Sequence, residues 1–194
     1  VALSAARAVS SPTSSHAPPR RMTTLTGRPP LAQIALGDLD HELRTTRRVL
    51  ARVPMDRADW KPHERSMTLG QLAAHLAGVP AWGTMTLTTE ELDFAQPTPR
   101  PPAPTTTDEL LATFDVGAAR LQELVAAAGD EALRERWTAR NGEHVVFALP
   151  RVGVLRGFIL SHMIHHRAQL GVYLRLLDVP VPSMYGPSAD EGNM

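Results

Sequence analysis

The run from Val152 to Leu177 is strongly apolar, yet two histidines four residues apart are set into it, in Ser161-His162-Met163-Ile164-His165-His166-Arg167-Ala168-Gln169-Leu170. Val152, Leu155, Ile159, Leu170, Tyr173 and Leu177 recur at helical spacing, so the run reads as a helix with one face toward a core. At helical pitch His162 and His166 project from that same face. Imidazoles placed in this way can converge on one cation, and neutral imidazole is a borderline ligand that suits zinc or nickel. A third ligand must come from another helix, and His75, in Leu72-Ala73-Ala74-His75-Leu76, is the candidate. Spacing alone leaves a second reading open, in which these are core histidines hydrogen-bonded to their neighbours.

Around this pair, His165 and Arg167 are rotated off the ligand face. Gln169 follows His166 by three residues, so its amide can hydrogen-bond an imidazole or another ligand of an ion, which makes it the candidate catalytic orienter. An ordinary amide at that place is the alternative. The zinc-protease pattern is absent, because Met163 stands where a general-base glutamate would follow the first histidine. There is no glycine-rich phosphate loop, nucleophile elbow or basic-aromatic array for nucleic acid.

The rest of the chain supplies three more helices. From Leu31, the residues Leu36, Leu39, Leu43 and Leu50 recur among polar Asp40, Glu42, Arg44 and Arg47, predicting a helix that ends before Pro54, with His41 turned to solvent. Pro54 to Met67 reads as an ordered loop, with Trp60 packed over one end of the helices. Thr68 and Gln71 form a capping box, and Leu69, Leu72, Leu76 and Val79 make the stripe of the second helix, with His75 at its edge. Pro80 is expected to kink or restart that helix, which continues through Thr89. The proline-rich stretch from Gln96 to Pro104 reads as a long crossover and a candidate cover for a site. A second capping box at Thr106 to Glu109 starts a third helix that runs to Gly129. Between Asp130 and Pro150 the pattern suggests a small hairpin around Asn141-Gly142, with His144 in its second arm. Asp178-Val179-Pro180 stops the last helix. The fold class expected is all-α, a four-helix bundle occupying 31–191 as one domain.

Of 194 residues, 20 are basic and 20 acidic, so there is no global electrostatic case for a nucleic-acid or membrane-surface partner. The absence of cysteine excludes thiolate metal sites and a cysteine nucleophile in this chain, so thiol chemistry would need an external thiol. No window approaches the ~20 apolar residues of a membrane span, and a soluble, cytoplasmic protein is expected. Residues 1–30, rich in serine, proline and arginine, read as a disordered tail or as sequence upstream of a natural beginning at Met22-Thr23-Thr24.

Four stretches together carry a family likeness: Trp60-Lys61-Pro62-His63, Ser66 through Leu76, His162 through Leu170, and Val179 through Glu191. In these, from about Leu31 to Glu191, the chain resembles the DinB-like (DNA-damage-inducible) proteins, a family distinct from the translesion polymerase of the same name. The resemblance implies a four-helix bundle of up-down-down-up topology with a long crossover, a homodimer, and a divalent metal, nickel or zinc, held by His75, His162 and His166. Ala168 stands where the family usually has glycine, which leaves the ligands untouched. Relatives include thiol-dependent S-transferases and a maleylpyruvate isomerase that use low-molecular-weight thiols. The function expected is therefore that of a metal-dependent S-transferase or hydrolase acting on a small molecule. The alternative is a non-catalytic stress-response bundle whose metal is closed off by a fourth ligand such as His63, His144 or a carboxylate.

Overall fold

The computed structural model describes residues 30–97 and 102–192. The expected tail at 1–30 lies, apart from Pro30, outside the described residues, as does the middle of the proline-rich crossover.

The helix read from Leu31 onward divides into α1 (Leu31–Leu36) and α2 (Leu39–Leu50). The break falls at Gly37-Asp38. A Cβ on residue 37 would stand 2.6 Å from the carbonyl oxygen of Gln33, so only glycine fits this approach. α2 buries Leu39, Leu43, Val49 and Leu50, and with them Glu42 and Thr46; Glu42 is therefore not the solvated residue that its charge suggests.

α3 (Leu69–Thr88) starts with the predicted capping box. Thr68 Oγ1 accepts from the Gln71 amide at 3.2 Å, and Gln71 Oε1 accepts from the Thr68 amide at 2.9 Å, satisfying two open donors reciprocally. Pro80 neither stops nor restarts this helix, which passes through it. α4 (Thr107–Ala127) crosses it closely there, since a Cβ on Gly117 would lie 3.3 Å from the Ala81 nitrogen and 3.4 Å from Pro80 Cβ. At the start of α4, Thr106 Oγ1 caps the Glu109 amide, but the Glu109 carboxylate turns to the Thr105 amide and hydroxyl, so the second box is one-sided.

The all-helical expectation is corrected by a small sheet. After the short α5 (Asp130–Arg134), strands β2 (Arg136–Asn141) and β3 (His144–Pro150) form the antiparallel hairpin expected around Asn141-Gly142, with Gly142 at φ +61°. A third strand, β1 (Glu91–Asp93), follows α3 and pairs in parallel with β2, giving the order β1-β2-β3. Asp93 joins this edge to the hairpin turn, accepting from the Ala95 and Gly142 amides at 3.0 and 2.9 Å and pairing with Arg140 at 3.1 Å.

The final helical stretch comprises α6 (Arg151–Val154), a π-helical segment (Leu155–Ser161) and α7 (His162–Leu176), with no departure from right-handed backbone at the junctions. The wider π turn shifts the face that the following residues present. On α7 the buried side chains are Met163, Arg167, Leu170 and Leu174, whereas His162, His166 and Tyr173 sit at the edge of that stripe and not in its centre as periodicity suggests. α3 packs against α4 and α7, and α2 packs against the same two. Their shared core includes Leu50, Leu72, Leu76, Phe114, Leu121 and Met163. A second, smaller cluster joins Trp137 and Ala139 of β2 to Val154 of α6. Among the described residues no helix is long and apolar enough to cross a membrane.

Candidate metal centre

Three imidazoles meet where α3 passes the start of α7. Buried Ala73 and Leu76 seat α3 against the core and leave His75 at its margin, half-buried. His162 opens α7, and His166 lies one turn further. Ring centroids are separated by 5.1 Å (His75 to His162), 4.6 Å (His75 to His166) and 4.4 Å (His162 to His166), and one ring nitrogen from each lies within 4.8 Å of the other two. The three residues that spacing nominates are thus brought together.

Their nitrogens are oriented for a shared ion. His75 Nε2 and His162 Nε2 face each other at 2.8 Å. Two imidazole nitrogens bound to one ion at ~2.0 to 2.1 Å stand roughly 2.9 to 3.4 Å apart for ordinary coordination angles, so the rings need to separate only slightly. His166 Nδ1 lies 2.8 Å from Gln169 Oε1. An amide oxygen only accepts, so in this contact His166 Nδ1 is the donor and Nε2 is the nitrogen left for an ion. Burial, and then the neighbouring His166, lower the pKa of His75. Burial, followed by the neighbouring His166, His75 and His165, pushes His162 down to about 4. Near neutral pH these two rings therefore favour the uncharged form, the form that binds metal.

The other described histidines do not join this group. His63 is exposed and its Nδ1 accepts from the Arg65 amide at 3.1 Å. His144 is exposed at the start of β3, and exposed His165 has its ring 4.9 Å from that of His166. Exposed His41 lies near Tyr185, with centroids 6.2 Å apart. Among the described residues neither His63, His144 nor a carboxylate joins the group as a fourth ligand.

Two hollows adjoin the centre. One is an apolar cavity of about 260 Å³ with His75 and His162 in its wall. The other is a wider cleft in which Pro102, Ala103 and Pro104 share the wall with Met67, Gln71 and His75, so the described end of the crossover does lie beside the centre.

By its charge Arg167, the residue after His166, reads as exposed. Its side chain is 1% exposed and pairs with Glu42 at 2.6 Å. Its guanidinium also donates to the Glu42 carbonyl and Thr46 Oγ1, each at 3.2 Å, and to the Tyr185 hydroxyl at 2.8 Å. That hydroxyl in turn donates to Glu42 Oε1 at 2.8 Å. A usable signal does exist. Arg167 follows Met163 by four residues and precedes Leu170 by three, and Glu42 stands in the same relation to Leu39 and Thr46 with the intervals reversed. Both charges therefore fall on buried stripes.

Two predictions arise from this geometry. Gln169→Ala frees the His166 ring to rotate and should weaken metal affinity ~10- to 100-fold without unfolding the protein, measured by competition with a chromophoric chelator. In chelator-treated protein, the unfolded chain takes up protons on His75 and His162 near their ordinary 6.5 while the folded chain resists. The stability that these rings contribute is therefore present above that pH and is lost as pH falls below it, for His162 toward about 4. Asp93, Glu109 and Asp190 are held below the carboxylate range by the Gly142 amide, the Thr105 amide and the Arg175 guanidinium respectively, and their contributions are lost at lower pH. Thermal midpoints should thus fall between pH 6.5 and 5, and His162→Gln should flatten that slope.

The sequence model of the DinB family matches residues 37–193, a span that contains all three histidines. The chain belongs to the DinB family. A relative by sequence is the uncharacterized protein YrdA of Bacillus subtilis (strain 168), 30% identical over 130 residues, which make up 66% of this chain and 71% of that protein. Two solved structures share the fold. A DinB-like protein from Bacillus cereus ATCC 10987 matches with a TM-score of 0.57 and 22% identity over 78% of this chain and 95% of its own. The DinB-like protein YjoA from Bacillus subtilis matches with a TM-score of 0.59 and 18% identity over 80% and 99%.

Proposed function

We propose that this DinB-family chain is a metal-dependent enzyme that holds nickel or zinc through His75, His162 and His166 and transfers a thiol to, or hydrolyses, a small-molecule substrate. The observation that carries this reading is the convergence of three imidazoles from two helices at the junction of an apolar cavity and an open cleft. A divalent ion held there supplies Lewis acidity and lowers the pKa of a thiol or water that joins it. The chain contributes ligand orientation: α3 and α7 fix the ring positions, and Gln169 holds the His166 tautomer and acts as a positioning residue. Because the chain has no cysteine, the thiol is an external one of low molecular weight.

The scaffold in this proposal is a four-helix bundle of up-down-down-up topology made by α2, α3, α4 and the α6–α7 stretch, supported by the way each of α2 and α3 packs on both α4 and α7. A homodimer belongs to the same reading. Val172 and Leu176, exposed and four residues apart on α7, supply an apolar strip for a second copy.

Cobalt(II)-substituted protein tests the catalytic part. Titration with 2-mercaptoethanol should change the visible absorption and add a near-ultraviolet thiolate band, as an open coordination position requires. A spectrum unchanged at saturating thiol would place the ion in a closed site and favour the non-catalytic stress-response bundle instead.

A further inference from the structure

We infer that the cavity beside His75 and His162 receives an uncharged aromatic group of the substrate, one ring or two fused rings in size, and so directs the substrate's polar end to the imidazoles. The direction rests on the metal-dependent reading above; occupancy of the cavity does not.

Room is sufficient, because the cavity is about 260 Å³ and an apolar cavity of ~150 Å³ already takes benzene. Its wall is aromatic. Phe147 and Phe158 stack at 4.3 Å and 15°, Trp137 lies 6.1 Å from Phe147, and Trp82 lies 6.1 Å from Phe94. Among the described residues no charged side chain lines it. The polar atoms that do are largely engaged: Trp137 Nε1 donates to Thr89 Oγ1 at 3.1 Å, and Thr86 Oγ1 donates to the Trp82 carbonyl at 3.0 Å. A charged or strongly polar group placed here would lose water without gaining partners. Among the described residues, the two imidazoles and the half-exposed Trp82 indole remain to meet polarity.

The cavity is also incompletely covered. Trp82, Phe94, Val146 and Phe158 line it while keeping 47, 47, 51 and 46% of their surface exposed. Flat apolar surface gathered around one mouth marks a binding site more than a structural need. The π-helical segment contributes directly, since it carries Phe158 and Ile159 into the wall just before His162. The helix that presents a ligand thus also shapes the pocket.

The test uses three hydroxamates that share a metal-chelating head: acetohydroxamate, benzohydroxamate and 2-naphthohydroxamate, titrated calorimetrically into zinc-loaded protein. The aromatic pair should bind ~10- to 100-fold tighter than acetohydroxamate, as burial of a ring's apolar area predicts. Val146→Trp, at an exposed position on the mouth, and Phe158→Ala, which removes half of a stacked pair, should each erase that advantage and leave acetohydroxamate binding as it was. Equal affinities for the three, or an advantage that survives both substitutions, would overturn the inference. In metal-free protein 2-naphthol should bind by itself. If it binds while all hydroxamates fail, the metal reading falls and the cavity assignment stands. If 2-naphthol binding is lost as protein concentration rises, the mouth belongs to a second copy of the chain and the inference is overturned.

Discussion

Arg167→Ala is expected to destabilise the protein by ~3–5 kcal/mol in urea denaturation, the largest loss for any single replacement outside the apolar core. The guanidinium is 1% exposed and its partner Glu42 is 3% exposed, so truncation leaves a buried carboxylate held only by the Tyr185 hydroxyl. Arg167→Lys should recover little, because an ammonium cannot reach Glu42, Thr46 and Tyr185 together as the planar fork does. The network is not fully satisfied even when intact, since Arg167 Nε and Glu42 Oε2 lack well-aligned hydrogen bonds despite the 2.6 Å ion pair. Replacing both charges, as in Glu42→Leu with Arg167→Met, should therefore cost far less than either single change. A loss below about 1 kcal/mol for Arg167→Ala would mean that the pair is not buried in solution. The pair also has a positional consequence. It ties α7, one residue after His166, to α2 and, through Tyr185, to the segment after α7. That segment is further held by Asp190 on Arg175 and the Val181 amide, and by Glu191 on Arg48 and Arg52.

Local chemistry was the legible part of this chain. The Thr68/Gln71 box, the Asn141-Gly142 hairpin and the stop after Leu177 each depend on residues within a few positions of one another, so their sequence patterns carry the mechanism. The three histidines were legible for a related reason: a pair at helical spacing needs a partner on another helix edge, and His75 occupied one. What escaped depends on distant partners. β1 is three residues long with no alternation of its own, and it exists because β2 offers a parallel edge and Asp93 reaches the turn at Gly142. The break at Gly37 divides the first helix, and the π turn before His162 interrupts the period on which the last helix's stripe rests, which is why His162 and His166 lie at the edge of the buried face. Glu42 and Arg167 were hidden by charge itself, since polarity is ordinarily read as exposure and only their mutual pairing reverses that.

The second large effect concerns the ligands. Loss of one of three imidazoles should weaken metal binding well beyond the ~10- to 100-fold expected from the Gln169 orienter. Bound metal also stabilises the fold by mass action, by about 4 kcal/mol at a thousandfold excess over Kd, so added nickel or zinc should raise the melting temperature of the native protein and not that of His75→Ala or His166→Ala. Metal content of the purified protein and these two variants, determined by inductively coupled plasma mass spectrometry under identical metal supply, tests the centre most directly. Close to one nickel or zinc per chain is expected in the native protein and almost none in either variant. A native protein that is metal-free and takes up no added ion would contradict it, and the three histidines would then be imidazoles hydrogen-bonded at the edge of a helical core.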